Sequence, residues 1–263
     1  MHDIHTQDHW IDGGQGRLFV RTWLPQAPRS DVPIILLHDS LGSVELWRGF
    51  PASLCVHSGR PVMAYDRLGF GKSDARVGKL ALDFVESEAE TGFAALRQGL
   101  DIGHFVLFGH SVGGGMAVNC AARSAGACVG LITEAAQAFV EDRTLQGIEE
   151  ARKLFADPAQ LDRLRKFHGD KAEWVLEAWI GSWLNPAFAA WSLESVLPAV
   201  KCPMLAIHGA EDEYGSPRHL KLIGALTGGP AQVEIMPSTR HVPHREREAE
   251  VTTLVCGFLQ NLA

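Results

Sequence analysis

The sequence holds no run approaching the ~18 consecutive apolar residues that a membrane-spanning helix requires, and no Lys/Arg cluster that could track a phosphate backbone. Its opening segment, MHDIHTQDHW, lacks the basic-then-apolar order of a secretory signal. Cysteine is sparse: Cys55, Cys120, Cys128, Cys202 and Cys256 are odd in number, scattered, and form no C-x-x-C pair. These absences argue against a membrane or nucleic-acid partner, and they point to reduced, mostly buried thiols in the cytoplasm. His2, His5 and His9 sit close together, but a polar terminus of this kind is expected to fray rather than hold a metal, so no metal site is expected. What is present is a 263-residue chain, 46% hydrophobic with a net charge of −7, enough to bury one large core carrying an insertion.

Short, continuously apolar runs recur: Pro33 to Leu37, Pro61 to Tyr65, Phe105 to Phe108, Val129 to Thr133 and Pro203 to Ile207. Runs this short and this apolar fit strands buried on both faces of a parallel sheet. Arg17 to Leu24 instead alternates, as an antiparallel edge strand does, and Gln232 to Met236 reads as a further strand. Leu82, Val85, Ala89, Phe93, Leu96 and Leu100 recur at helical spacing, as do Val251, Leu254, Val255, Phe258, Leu259 and Leu262. Strands separated by helices predict a doubly wound α/β architecture with a mostly parallel sheet of about eight strands.

From 137 to 200 no strand pattern is visible. The segment reads as helices over Thr144 to Phe155, Pro158 to His168 and Lys171 to Leu184, with a break at Asn185-Pro186. The expected division is a core of 1–136 and 201–263 and a helical lid of 137–200. Open parallel sheets bind ligands beyond the carboxyl ends of their strands, so an excursion between two strands can cover that site. Four of the seven tryptophans, Trp174, Trp179, Trp183 and Trp191, lie here. Each fits either a pocket wall or the lid's own core.

The apolar run Phe105 to Phe108 leads into Gly109-His110-Ser111-Val112-Gly113 and then a stretch of small residues. A serine on a sharp strand-to-helix turn has no room for side chains two positions either side, which is why both are glycine. Ser111 is the candidate nucleophile, and a helix beginning beside it points its positive dipole end at a developing oxyanion. Serine needs a base, and the base an acid to orient it. Asp212 follows the strand Pro203 to Ile207. Its acidic neighbours Glu211 and Glu213 also fit a solvated turn, and Glu134 competes for the same role. His241 lies in the loop after Gln232 to Met236, with His244 as its competitor at the start of the last helix. His110 and His208 are expected to make structural hydrogen bonds. The loop after Pro33 to Leu37 is placed to supply a second backbone donor at Ser40, the first being the N–H of Val112.

Five segments in order then resemble the α/β-hydrolase superfamily, in its small, lid-bearing, esterase-like branch. His38 to Gly42 resembles its H-G-x-x-G oxyanion loop. Asp66 to Ser73 resembles its structural D-x-x-G-x-G-x-S turn. Gly109 to Gly113 resembles its nucleophile elbow, His208 to Asp212 its acid turn, and His241 to His244 its histidine loop. Two positions depart from the pattern: Asp39 stands where glycine is usual, placing a carboxylate near a site that must stabilise negative charge, and Arg240 replaces the glycine before the histidine.

The resemblance implies the α/β-hydrolase fold and an acyl-enzyme mechanism carried by Ser111, His241 and Asp212, with no metal or organic cofactor. The expected substrate is a small molecule, a small to medium and mostly apolar carboxylic ester, with Leu41, Trp179 and Trp183 as pocket residues. A serine nucleophile argues against dehalogenase and epoxide-hydrolase chemistry, and no amphipathic element points to a membrane surface. Two alternatives share the scaffold. One is hydrolysis of a carbon–carbon bond in a diketone, or of a lactone, for which Arg143, Arg152 and Lys153 are candidate cations. The other is a non-catalytic small-molecule-binding protein. Monomer and homodimer are equally compatible with the sequence.

Overall fold

The computed structural model describes residues 4–262. Eight strands form one sheet: β1 (Ile4–Asp12), β2 (Arg17–Pro25), β3 (Ile34–Leu37), β4 (Val62–Tyr65), β5 (Phe105–His110), β6 (Cys128–Glu134), β7 (Met204–Gly209) and β8 (Ala231–Met236). Their spatial order is β1-β2-β4-β3-β5-β6-β7-β8. β1 pairs antiparallel with β2, and β2 antiparallel with β4; all other pairs are parallel. The expected eight-stranded, mostly parallel sheet of the α/β-hydrolase fold is therefore present.

Ten helices accompany it among the described residues: α1 (Phe50–Ser58), α2 (Phe84–Ser87), α3 (Gly92–Gly99), α4 (Val112–Arg123), α5 (Asp142–Leu154), α6 (Pro158–His168), α7 (Ala172–Trp183), α8 (Pro217–Leu226), α9 (Pro243–Glu246) and α10 (Glu248–Gln260). The apolar runs are strands covered on both sides. Along β5, Phe105 and Leu107 face one core cluster with α4, while Val106 and Phe108 face the other with α1 and α10. Each such side chain taken fully from water contributes about 1.5–3 kcal/mol, and a run apolar at every position is what two buried faces demand.

The chain passes from β3 to β4 on one side and then to β5 on the other. The order thus reverses between β3 and β5, and the loops leaving their carboxyl ends diverge to open a crevice. α5, α6 and α7 all lie between β6 and β7. The two ends of this excursion are pinned side by side: Phe139 bridges Ser192, and the Leu193 N–H donates to the Ala138 carbonyl at 2.8 Å.

Two expectations need correction. The first residues do not fray: from Ile4 they form β1, paired with β2 from Ile4↔Pro25 to Asp12↔Arg17. The polar sequence hides this strand because its outer positions face water and the backbone ladder holds it. His5 and His9 stand in that strand and His9 faces Thr22 at 3.3 Å; His2 lies outside the described residues. Secondly, the helical spacing from Leu82 to Leu100 is not one helix but α2 and α3, split at Glu88. Glu88 turns inward to accept the Tyr65 hydroxyl at 2.7 Å, and the Phe93 N–H reaches back to the Glu88 carbonyl instead of continuing α2. The scattered cysteines also partly converge, with Cys128 and Cys202 sulfurs 3.7 Å apart as free thiols.

Candidate active site

Ser111 stands between β5 and α4 with φ 56° and ψ −126°, a backbone region that costs an L-residue roughly 1–3 kcal/mol. The turn survives because its neighbours are fixed. A Cβ on Gly109 would lie 2.2 Å from the Gly113 carbonyl oxygen, and one on Gly113 would lie 2.2 Å from the carbonyl oxygen of Leu37. The elbow therefore packs directly on the carboxyl end of β3. The Ser111 N–H is used up by the Glu134 carbonyl at 2.9 Å, which leaves Val112 as the first residue of α4 facing the crevice.

The three residues singled out in the sequence meet. His241 Nε2 lies 3.1 Å from Ser111 Oγ, and His241 Nδ1 lies 2.9 Å from each carboxylate oxygen of Asp212. Asp212 is fully buried and also accepts the N–H groups of Tyr214 at 2.8 Å and Gly215 at 3.0 Å. Burial alone would raise its carboxyl; the charge and hydrogen bond of His241 outweigh burial and hold it below the usual carboxylate range. The imidazole is fixed on both flanks, with Tyr214 at 4.8 Å and His110 at 5.2 Å between ring centroids.

The competing acid and base, Glu134 and His244, pair with each other at 2.5 Å. His244 is buried against Trp47 and Phe50 rather than facing solvent. With His110, these two offer ligand atoms within 4.8 Å of one another. Within this cluster His244 bonds Glu134 and His110 bonds the His241 carbonyl, while Glu134 Oε1 is buried without a partner.

A cavity of about 170 Å³ opens on Ser111 and His241. Ser40, Leu41, Trp179 and Trp183 all line it, together with Ile148, Tyr214 and Gln137. Ser40 and Val112 also flank a common space of about 10 Å³ beside it. Trp174 and Trp191 do not line the cavity: Trp174 donates to the Gly78 carbonyl, and Trp191 donates to Glu86 and stacks on Phe188. Arg143, Arg152 and Lys153 are absent from the lining; Arg143 donates to the Asp212 carbonyl at 2.9 Å and Arg152 pairs with Glu149.

The loop bearing Ser40 is braced from below. The Arg67 guanidinium donates to the Asp39 carbonyl at 2.8 Å, and the Arg67 N–H donates to His38 Nε2 at 3.2 Å. Asp66 in the same turn accepts the N–H groups of Val44 and Lys72. Burial, then the neighbouring Arg67 charge, push the His38 imidazole well below its ordinary range. His38 is thus neutral, accepting at Nε2 and donating from Nδ1 to the Asp39 carbonyl at 2.8 Å.

Several residues here carry no sequence signal. Gln137 Oε1 lies 3.3 Å from the Ser111 hydroxyl, an alternative acceptor for the single proton that otherwise points at His241. His168 of α6 accepts the Gly71 N–H and donates to the Leu41 carbonyl. His219 of α8 accepts the Ala138 N–H at Nδ1 and donates from Nε2 to Glu141 at 2.9 Å. Nothing in local spacing marks them, because their partners lie from 26 to 127 residues away.

The sequence profile of the Alpha/beta hydrolase family matches residues 34–254. A 1-acylglycerol-3-phosphate O-acyltransferase ABHD5 from Sus scrofa is 34% identical over 86 residues, 33% of this chain and 24% of that protein, so the match spans about a quarter of this relative's length. A serine hydrolase BPHL from Mus musculus is 26% identical over 204 residues, 76% of this chain and 69% of that protein. Among solved structures, a proline iminopeptidase from Mycobacterium smegmatis superimposes with a TM-score of 0.74 at 21% identity, covering 97% of this chain and 98% of that one. An enol-lactonase from Burkholderia xenovorans LB400 gives 0.74 at 20% identity, covering 96% and 100%. At these identities the structural likeness speaks to the fold alone. No helix among the described residues is long and apolar enough to cross a membrane.

Proposed function

The chain belongs to the alpha/beta hydrolase family, and from that premise we propose that it is a serine hydrolase cleaving a small to medium, mostly apolar carboxylic ester through an acyl-enzyme. The observation that carries this reading is the continuous line from Asp212 through His241 to Ser111, at 2.9 and 3.1 Å, ending in a cavity. His241 takes the hydroxyl proton as the Ser111 oxygen attacks the acyl carbon. Asp212 holds the N–H tautomer at Nδ1 and stabilises the imidazolium that forms. The N–H groups of Ser40 and Val112 hold the oxyanion, aided by the N-terminus of α4. His241 then returns the proton to the leaving alcohol, and a water, deprotonated by the same imidazole, releases the acid.

The cavity's size and its Leu41, Ile148, Trp179 and Trp183 walls support a short, apolar acyl or alkyl group. Segment 137–200 acts in this reading as a lid, since Ile148, Trp179 and Trp183 all come from it. A carboxylated diketone would need a cation at the cavity wall, and the three candidates lie elsewhere.

The test is labelling with a fluorophosphonate, read by mass spectrometry, alongside turnover of p-nitrophenyl butyrate by wild type and Ser111→Ala. A single adduct on Ser111 and loss of turnover in the variant are expected. A folded wild-type protein that neither labels nor turns over would overturn the reading in favour of a binding protein.

A further inference from the structure

His110 is buried, and each of its ring nitrogens faces an acceptor. Nε2 lies 2.8 Å from the backbone carbonyl oxygen of His241, which only accepts, so Nε2 carries a proton. Nδ1 lies 3.5 Å from Asp39 Oδ2. A neutral ring protonated at Nε2 would turn a lone pair toward that carboxylate; a ring protonated at both nitrogens satisfies both neighbours. We propose that His110 is held as an imidazolium that ties the Asp39–Ser40 loop to the His241 loop, with His110 and Asp39 as positioning residues for the reaction. The inference rests on the reading of Ser40 and His241 given above.

The placement makes the ring a junction. His110 immediately precedes the nucleophile Ser111, Asp39 immediately precedes Ser40, and the accepting carbonyl belongs to the base itself. Asp39 is the position where the resemblance leads one to expect glycine, and this pairing gives it a task. Asp39 lines the cavity beside Ser40 and Ser111, and there its charge is matched by the imidazolium. Its other oxygen, Oδ1, is buried without a partner, so an unmatched carboxylate here would be costly. Other charged and titratable groups face the ring: Glu134 from β6, His241 and His244 from the loop before α9 and from α9 itself, and beyond them Arg245, which bears on Asp39. Burial pushes His110 down, but the Asp39 carboxylate 3.5 Å away and the Glu134 charge outweigh it and raise the imidazole above its ordinary range. Burial likewise opposes ionisation of Asp39, and His110 overcomes it, holding the carboxyl well below the usual range. Both partners shift in the direction of an ionised pair.

The sign for pH follows. A raised imidazole stays charged through its ordinary titration range, and it loses the proton only as pH climbs past the raised value. Activity should therefore fall on an alkaline limb that reports His110, with kcat affected more than KM because the oxyanion donors and the base, whose positions it fixes, act on the transition state rather than on bound substrate.

The decisive measurement is ¹⁵N–¹H NMR of the histidine rings in Ser111→Ala and in Ser111→Ala with Asp39→Asn, with kcat/KM-against-pH profiles of wild type and Asp39→Asn. Protonation of both His110 ring nitrogens at neutral pH is expected, titrating above about 6.5 and moving down in the Asp39→Asn background. In parallel, Asp39→Asn should lower kcat about tenfold or more and shift the alkaline limb to lower pH. A His110 ring carrying a single proton at neutral pH, or a titration and alkaline limb that Asp39→Asn leaves unmoved, would overturn the proposal. The NMR titration needs no turnover and the Ser111→Ala spectrum needs no Asp39 variant. Failure of the hydrolase reading, seen as absent fluorophosphonate labelling, is thus distinct from failure of the clamp.

Discussion

The Thr144 hydroxyl donates to the backbone carbonyl of Tyr214 at 2.6 Å, joining the first turn of α5 to the turn that presents Asp212. Arg143 donates to the Asp212 carbonyl alongside it, and Glu141 accepts the Ser216 N–H and hydroxyl. On the other side His168 reaches the Leu41 carbonyl. The helical excursion thus grips both loops that flank Ser111. Thr144→Val keeps the shape and removes one buried bond, which should cost about 0.5–1.5 kcal/mol, and up to about 3 if the Tyr214 carbonyl is left dry. The loosened acid turn should lower kcat several-fold with little change in KM. Equilibrium denaturation and steady-state kinetics on the same preparation would check both, and an unchanged kcat in the destabilised variant would restrict the contact to stability.

Asp212→Asn preserves the volume of the side chain but no longer fixes the Nδ1–H tautomer of His241. In serine hydrolases built on this arrangement the loss is about 10⁴ in kcat, and a loss of that order is expected here with the Ser111 elbow intact. Persistence of more than a tenth of the activity would show that another group, Glu134 being the nearest acid candidate by sequence, orients the base. Glu134 is already engaged with His244.

Much of this site was legible because its determinants are local. Two buried faces make the central runs of β3 to β7 apolar, with polar residues such as Glu134 and His208 only toward their carboxyl ends, where the next loop begins, so Ser111, Asp212 and His241 could be located by what precedes them. The elbow glycines are fixed by contacts within a few residues and by the adjacent strand. β1 was not legible because its backbone ladder, not its side chains, holds it. Gln137, His168, His219 and Tyr214 were missed because their roles arise from packing between distant segments. The pairing of Glu134 with His244 is of the same kind: each resembled a member of the Ser111 assembly until its actual partner was in view.

Gly113→Ala should be severe. Its Cβ would fall 2.2 Å from the Leu37 carbonyl oxygen and 2.6 Å from that of His38. Both are backbone atoms that cannot rotate away, so β3 and α4 must separate. Overpacking of this kind costs about 1–3 kcal/mol or more, and activity should vanish because the Ser40 loop moves with β3. Gly115→Ala, whose Cβ would meet only side-chain atoms of Val85 and Trp191 at 3.2 and 3.5 Å, serves as the control and should keep most activity. Thermal melts and butyrate turnover would separate the two.

Trp179 and Trp183 both line the cavity, yet they should respond differently to truncation. Trp183 is 2% exposed and packs edge-on against Phe188 and Trp191, so Trp183→Ala should cost about 3–5 kcal/mol. Trp179 is half-buried and meets Tyr214 at 6.0 Å. Trp179→Ala should therefore fold, enlarge the cavity, and shift kcat/KM from p-nitrophenyl butyrate toward the octanoate. A chain-length profile unchanged in Trp179→Ala would place the acyl group elsewhere, against Leu41 and Ile148.

The Asp212 carboxyl, lowered in the fold through His241, carries a pH signature of its own. Because its folded value lies below that of an unfolded Asp (~3.9), its contribution to stability is complete above that pH and is lost as pH falls through the folded value. Asp212→Asn lacks this contribution at every pH. Wild type should therefore melt above the variant near neutrality, and the gap should narrow as pH drops below about 4. The narrowing must follow Asp212 rather than general acid unfolding, which acts on both proteins alike, so the quantity to measure is the difference in Tm at each pH. A gap constant from neutrality to pH 3 would mean that His241 does not stabilise the ionised carboxylate, and the electrostatic role assigned to the pair would fall with it.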